Sequence, residues 1–144
     1  MNNLILVRHG QSRWNLERRF TGFYDVELTA KGKKEATYAG KLIKKLNIKF
    51  DICFTSQLIR ATHTLDIILK VLNYNKIKVN KAWELNERHY GSLTGLNKDE
   101  MKNTLGEKKV QLFRRSWNIS PKPLSKNNPY HPLNIKIYKN IPKE

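Results

Sequence analysis

At 144 residues the chain is ordinary for one domain and short for two well-packed ones. Hydrophobic residues make up 39% and aromatics 10%, enough for a modest core, and no stretch approaches the roughly 20 apolar residues of a membrane-spanning helix. Lys and Arg number 28 against 12 Asp and Glu, a formal charge of +16 that calls for an anionic partner, while the single cysteine, Cys53, excludes an internal disulfide.

In chain order, Met1 to Val7 lacks the basic region and long apolar run of a signal peptide, so a soluble, cytoplasmic protein is expected. Leu4-Ile5-Leu6-Val7 predicts a short strand buried on both faces, with Arg8-His9-Gly10 at its carboxyl end. From Thr29 to about Leu46, Ala36, Ala39, Leu42, Ile43 and Leu46 recur at helical spacing, and Thr29 is a candidate cap. Asp51 to Thr55 predicts a second buried strand, in which Cys53 packs as a core residue. Ser56 is placed to cap a helix whose Leu58, Ala61, Leu65, Ile68, Leu69 and Leu72 lie on one side, and Ile77 to Val79 predicts a third strand. Strand alternating with helix is the pattern of an α/β fold with a parallel sheet, which binds ligands at the strands' carboxyl ends, where His9 and Ser56 fall. Helices are expected from Asn97 to Leu105 and over Glu107 to Arg115. Beyond Ser120, Pro121, Pro123, Pro129, Pro132 and Pro142 alternate with Asn and Lys and predict a loop.

The lysines Lys31, Lys33, Lys34, Lys41, Lys44, Lys45 and Lys49 flank one predicted helix and read first as its solvated face. A basic nucleic-acid-binding protein is the rival reading of the charge, but no nucleic-acid module is recognisable. Nor does any Cys/His cluster have metal-ligand spacing, and His63 and His131 are assigned no chemistry.

The chemistry concentrates in Leu6-Val7-Arg8-His9-Gly10-Gln11-Ser12-Arg13-Trp14-Asn15. A histidine at a strand end can attack phosphorus while Arg8 and backbone N–H groups hold phosphate oxygens. The attacking ring must be neutral, and neighbouring cations favour that form by pushing its pKa below the usual value of about 6.5. Each residue also has a plain reading. A histidine after a buried strand is more often structural, Arg60 fits an ion pair with Asp66, and Glu87 fits one with Arg88. Arg114-Arg115 fits an exposed basic pair, and Trp14 and Tyr90 fit packing positions.

Order and spacing tip the balance. Phe20-Thr21-Gly22-Phe23-Tyr24-Asp25-Val26-Glu27-Leu28-Thr29, Thr55-Ser56-Gln57-Leu58-Ile59-Arg60-Ala61 and Glu84-Leu85-Asn86-Glu87-Arg88-His89-Tyr90-Gly91-Ser92-Leu93-Thr94-Gly95-Leu96-Asn97-Lys98 follow the histidine motif. Together these segments resemble the histidine phosphatase superfamily, and within it the phosphoglycerate mutase family, from about Leu4 to the end of the chain. The resemblance implies a three-layer sandwich with a mostly parallel sheet flanked by helices. It implies interconversion of 2- and 3-phosphoglycerate through a phosphohistidine at His9, with Glu87 as general acid/base. Arg8, Gly10, Gln11, Ser12, Arg13, Trp14, Asn15, Thr21, Gly22, Arg60, Arg88, His89, Tyr90, Lys98, Arg114 and Arg115 would hold the substrate. It further implies 2,3-bisphosphoglycerate as phosphoryl donor, no metal, a small phosphorylated substrate, no nucleic-acid or membrane partner, and a homo-oligomer where contact surfaces persist.

Within the shared region Phe23 and Phe113 stand where tryptophan is usual, and Gln11 where glutamate is common. The family's later segment, with a second histidine before Gly-Asn and a strand beside the first one, has no counterpart in these residues. The chain therefore reads as a C-terminally truncated member with uncovered apolar strand edges. A phosphomonoesterase of the same superfamily would share Arg8-His9-Gly10 without needing Glu87 to Lys98, and a remnant would at most bind phosphorylated anions.

Overall fold

The computed structural model describes residues 3–139; Ile141 and Pro142, named above for the tail, lie outside the described residues. The fold is α/β and divides into two compact units, Met1–Arg13 with Val26–Asn86, and Trp14–Asp25 with Glu87–Glu144. Each is described by itself.

The first unit holds helix α2 (Ala30–Lys45), strand β1 (Ile52–Thr55), helix α3 (Ile59–Leu72) and strand β2 (Lys78–Lys81). A single helical turn, α1 (Arg13–Leu16), begins at the last residue of this unit's first segment and otherwise belongs to the second unit. β1 and β2 pair in parallel, with Ile52 opposite Lys78 and Thr55 opposite Lys81. The connection through α3 is the strand-helix-strand crossover that the sequence pattern predicts. Thr29 caps α2, its Oγ1 accepting from Gly32 N at 3.0 Å. Helix α2 buries Ala36, Gly40 and Ile43, a narrow stripe of mostly small side chains that lets α3 approach closely through Ile68 and Val71.

Two expectations fail here. Leu4 to Val7 is not a strand: it makes no ladder, and Leu4 and Leu6 are 81% and 86% exposed. An apolar run becomes a strand only where another backbone pairs with it, and among the described residues β1 pairs with β2 alone. The same lack of cover leaves Phe54 of β1 61% exposed. Ser56 does not cap α3 either. The cap position is Leu58, which makes no side-chain capping bond, and the Ser56 hydroxyl instead accepts from Leu58 N at 3.2 Å in a local turn.

The second unit is built on helices α4 (Lys98–Leu105) and α5 (Glu107–Arg115). Asn97 caps α4 by accepting from Asp99 N at 2.8 Å. The core is Phe20, Tyr90, Leu93 and Val110, with Met101, Leu105 and Phe113 packed against it. Phe20 is completely buried, and burying a side chain of this size stabilises by about 1.5–3 kcal/mol. Among its described residues the proline-rich tail has no α-helix or strand, as expected, yet they are packed. Lys122 O accepts from Ser92 N at 2.8 Å, Tyr130 stands edge-on to Trp14 and Tyr24, and the buried Tyr138 donates its hydroxyl to Phe23 O at 2.6 Å. The signal missed in the sequence was aromatic: Tyr130 and Tyr138 sit where proline and asparagine dominate.

Candidate active site

Arg8, His9, Gly10, Gln11, Ser12, Arg13 and Arg60 fall in the first unit. The His9 Nδ1 lies 2.7 Å from the Gly10 carbonyl oxygen. A carbonyl can only accept, so Nδ1 carries the proton, and in the neutral ring the lone pair is on Nε2. That is the tautomer a nucleophilic histidine needs, and a contact with its own neighbour sets it.

The segment after His9 is tied to both helices. The buried Gly10 N donates to Thr64 Oγ1 at 3.2 Å, and that hydroxyl donates to Arg60 O at 2.7 Å, one helical turn back along α3. Gln11 N donates to Glu35 Oε2 at 2.8 Å, and Gln11 O accepts from Thr29 N at 2.9 Å. The Gln11 side chain is held as well, since the Thr29 hydroxyl donates to its Oε1 at 2.9 Å. A Cβ on Gly10 would come within 2.2 Å of Gly32 O. Glycine is therefore needed at position 10 for the close pass over the first turn of α2. Ser12 is fully buried and bridges antiparallel to Leu28, and Arg13 N donates to Glu27 O at 2.9 Å. Arg8 and Arg13 are exposed.

Arg60 is withdrawn from solvent. It is 1% exposed, the bulkiest of the fully buried side chains, and stands in the first turn of α3. A guanidinium keeps its charge at any physiological pH, so α3 carries a permanent buried cation one turn from the hydroxyl that receives the Gly10 N–H. Sequence reasoning missed Thr64, although a β-branched hydroxyl on an otherwise apolar face, four residues after Arg60, was the available signal.

Trp14, Asn15, Thr21, Gly22, Glu87, Arg88, His89, Tyr90, Lys98, Arg114 and Arg115 fall in the second unit. Here the packing readings of Trp14 and Tyr90 hold. Trp14 is buried and stacks on Tyr24 at 4.6 Å between ring centroids, and Tyr90 packs on Phe20 at 5.1 Å. Tyr90 also does something polar. Its phenol is pushed above its usual pKa, first by burial and then by the Glu87 carboxylate, to which it is hydrogen-bonded, with Arg114 and Arg88 pulling the other way. Glu87, Tyr90, Arg88 and Arg114 thus form one electrostatic group.

Gly22 turns with φ +56°, and a Cβ there would meet Arg88 O at 2.9 Å, so Thr21-Gly22 lies directly under the Arg88 backbone. Thr21 is 2% exposed. The Lys98 ammonium stands 5.7 Å from the centre of the Phe20 ring. Arg88 donates from Nη1 to Phe113 O at 2.9 Å and from Nη2 to Ser116 O at 2.7 Å. His89 Nδ1 accepts from Gly91 N at 2.9 Å, its ring meets Phe23 edge-on, and its pKa is lowered by burial and then by His131. His131 itself accepts from Leu133 N at 3.2 Å, a capping role within the tail. Arg114 is half-buried and Arg115 exposed. Among the described residues no group of three or more His, Cys, Asp or Glu is placed to hold a metal, and no helix is long and apolar enough to cross a membrane.

The family pattern described as histidine phosphatase superfamily (branch 1) matches residues 4–129. The chain belongs to this superfamily. Among its histidine phosphatase relatives is the 2,3-bisphosphoglycerate-dependent phosphoglycerate mutase of Pelagibacter ubique (strain HTCC1062), 61% identical over all 144 residues of this chain and 60% of the relative. The chain thus spans about three fifths of that relative's length. Of the solved structures, a phosphoglycerate mutase from Bacillus anthracis str. Sterne superposes with TM-score 0.64 at 28% identity over 73% of this chain and 47% of its own. A mycobacterial glucosyl-3-phosphoglycerate phosphatase gives TM-score 0.65 over 81% of this chain and 53% of its own; at 22% identity it attests the fold alone.

Proposed function

We propose that the chain carries the nucleophile and the acid/base residue of a phosphoglycerate mutase, interconverting 2- and 3-phosphoglycerate through a phosphohistidine. The observation that carries this reading is the His9 ring held by Gly10 O in the tautomer whose lone pair is on Nε2. His9 takes the phosphoryl group on Nε2, and Arg8 with the buried Arg60 supplies positive charge for the phosphate oxygens. Glu87, hydrogen-bonded to Tyr90, accepts and returns the proton of the substrate hydroxyl. Asn15, Thr21, Gly22, Lys98, Arg114 and Arg115 bind phosphate and carboxylate oxygens. Charge-assisted hydrogen bonds contribute about 1.5–3 kcal/mol each, so such a set holds a small polyanion without a metal.

The cationic donor set fits 2,3-bisphosphoglycerate, which when bound supplies the phosphoryl group that primes the histidine. The Pelagibacter relative's name supports the mutase over a phosphomonoesterase, as does the full run from Glu87 to Lys98, which a phosphatase does not need. A small phosphorylated substrate, a cytoplasmic setting and a homo-oligomeric assembly go with this reading.

The test is incubation of the purified chain with 2,3-bisphosphoglycerate, reading acid-labile phosphate on His9 by mass spectrometry. His9→Ala is the control. Phosphate at His9 that passes to 3-phosphoglycerate supports the mutase; phosphate lost only to water supports the phosphatase; a folded sample that takes up none sinks both.

A further inference from the structure

The tail beyond Ser120 carries two tyrosines that the mutase reading leaves unused, and both reach a segment that would hold substrate oxygens. Thr21 to Tyr24 form one tight turn, in which Tyr24 N donates to Thr21 O at 3.2 Å and Gly22 takes φ +56°. The first half of this turn faces inward: Thr21 is buried and Gly22 lies under the Arg88 backbone. The second half, Phe23 and Tyr24, is met by the tail.

Tyr138 donates its hydroxyl to Phe23 O at 2.6 Å, and its ring lies 5.6 Å from the Phe23 ring. Phe23 O and Tyr24 N belong to one peptide unit, which is planar. A peptide plane held at its oxygen cannot swing its N–H away from Thr21 O without breaking that hold. The Tyr138 hydroxyl therefore secures the bond that closes the turn. Tyr130 acts beside it. Its ring stands edge-on to Trp14 at 5.2 Å and to Tyr24 at 4.7 Å, while Trp14 and Tyr24 stack at 4.6 Å. The three rings hold Trp14 in place, and Asn15 is the next residue of α1.

A strap can hold a turn only if it is held itself. The tail is docked near its start, where Lys122 O accepts from Ser92 N at 2.8 Å and a Cβ on Gly91 would come within 2.1 Å of the same oxygen. It is knit internally by Asn134, whose Nδ2 donates to Lys126 O at 2.8 Å and to Asn128 O at 2.9 Å. Tyr130 N donates to Asn128 Oδ1 at 2.9 Å, and the Tyr130 ring lies so close on Gly95 that a Cβ there would meet it at 2.5 Å. Tyr138 is buried.

We propose that Tyr138 and Tyr130 are positioning residues: from the tail, the Tyr138 hydroxyl fixes the Phe23–Tyr24 peptide and with it the Thr21-Gly22 turn, and the Tyr130 ring holds Trp14 and Tyr24 beside Asn15. The proposal rests on the mutase reading, in which Asn15, Thr21 and Gly22 bind substrate oxygens.

The experiment measures the rate of His9 phosphorylation against 2,3-bisphosphoglycerate concentration in the full 144-residue chain, in Tyr138→Phe, in Tyr130→Leu and in Tyr74→Phe, with amide hydrogen exchange on each. Tyr74→Phe is the control, since it removes a hydroxyl that accepts from Phe50 N at 2.9 Å in the first unit. A neutral hydrogen bond of ordinary strength corresponds to about fivefold in an equilibrium. Tyr138→Phe should therefore quicken exchange at Tyr24 N about fivefold and raise the half-saturating concentration by a similar factor, with the phosphorylated fraction at saturation unchanged. Tyr130→Leu should shift half-saturation in the same direction, and Tyr74→Phe should leave it as in the parent. A merely structural loss lowers the phosphorylated fraction and leaves half-saturation alone, and that pattern overturns the proposal. So does an equal rise in Tyr74→Phe. A raised half-saturation with an unmoved Tyr24 amide makes the Tyr138 hydroxyl a direct ligand and overturns it as well. If the folded parent takes up no phosphate on His9, the mutase reading fails and the positioning role with it; a phosphorylated parent whose half-saturation is unmoved in both tail variants sinks the positioning role alone.

Discussion

Thr64 is the side chain on which the placement of the nucleophile's neighbour turns, and its replacement by valine isolates one atom. Valine keeps the branched shape and removes the hydroxyl that accepts from Gly10 N at 3.2 Å and donates to Arg60 O at 2.7 Å. The Arg60 carbonyl lies inside α3 and keeps its place in the helical ladder, so it is not orphaned. Gly10 N is buried, and the acceptor it meets is the Thr64 hydroxyl. A buried donor left without its acceptor costs about 1–3 kcal/mol. With a urea dependence of about 1–3 kcal/mol per molar, the unfolding midpoint of Thr64→Val should fall by about 1 M. Thr64→Ser, which keeps the hydroxyl and loses a methyl, should cost under about 1 kcal/mol. His9 phosphorylation should drop with valine and persist with serine, because Gly10 also supplies the carbonyl that sets the His9 tautomer. If valine and serine shift the midpoint equally, or valine leaves it within about 0.3 kcal/mol of the parent, the hydroxyl does not hold Gly10 and the reasoning is wrong.

Two further outcomes test the second unit. Gly22→Ala should destabilise it by at least about 1–2 kcal/mol, the cost of a left-handed residue with a side chain, because φ is +56° and the new Cβ would press on Arg88 O; thermal unfolding measures it, and a Tm equal to the parent's would contradict the contact. His89 is held below the usual imidazole pKa by burial and then by His131. The unfolded chain therefore binds more protons between the lowered value and about 6.5, and stability must fall as pH drops through that window. Urea midpoints at neutral and mildly acidic pH should show the loss in the parent and a smaller one in His89→Asn; equal losses would assign the dependence to other groups.

What was legible in the sequence was local. Thr29 before the apolar period of α2 gave a cap that the structure reproduces, since a cap depends on residues within three positions of itself, whereas Ser56 before α3 did not. β1 was visible as a short apolar run, and the weaker signal at Ile77 to Val79 marked a strand that forms at Lys78–Lys81. What failed was non-local. Leu4 to Val7 has the composition of a buried strand, but a strand is a relation between two backbones, and its own residues cannot report whether the second is present. The close pass of Gly10 over Gly32 of α2, more than twenty residues away in sequence, was likewise not announced by its neighbours. Nothing in the neighbourhood of Arg88 announces that its guanidinium meets the carbonyls of Phe113 and Ser116.

The failure of the first strand bears directly on how His9 is held. In a strand the ladder would position the histidine; here the backbone from Gly10 to Arg13 is held by Thr64 and Glu35 side chains and by the antiparallel contact with Glu27 to Thr29. Every one of these partners lies on α2, on α3, or just before α2, elements whose caps and packing are local or pairwise helical. The His9 ring donates from Nδ1 to Gly10 O. The exposed Leu4 and Leu6 and the arming of the nucleophile are therefore separable. Leu4→Ser/Leu6→Ser should reduce aggregation while leaving His9 phosphorylation by 2,3-bisphosphoglycerate near the parent level, because Gly10 and Gln11 are held from α2 and α3 and both leucines are exposed. Loss of phosphorylation in a soluble, folded double variant would mean that the apolar run positions His9 after all.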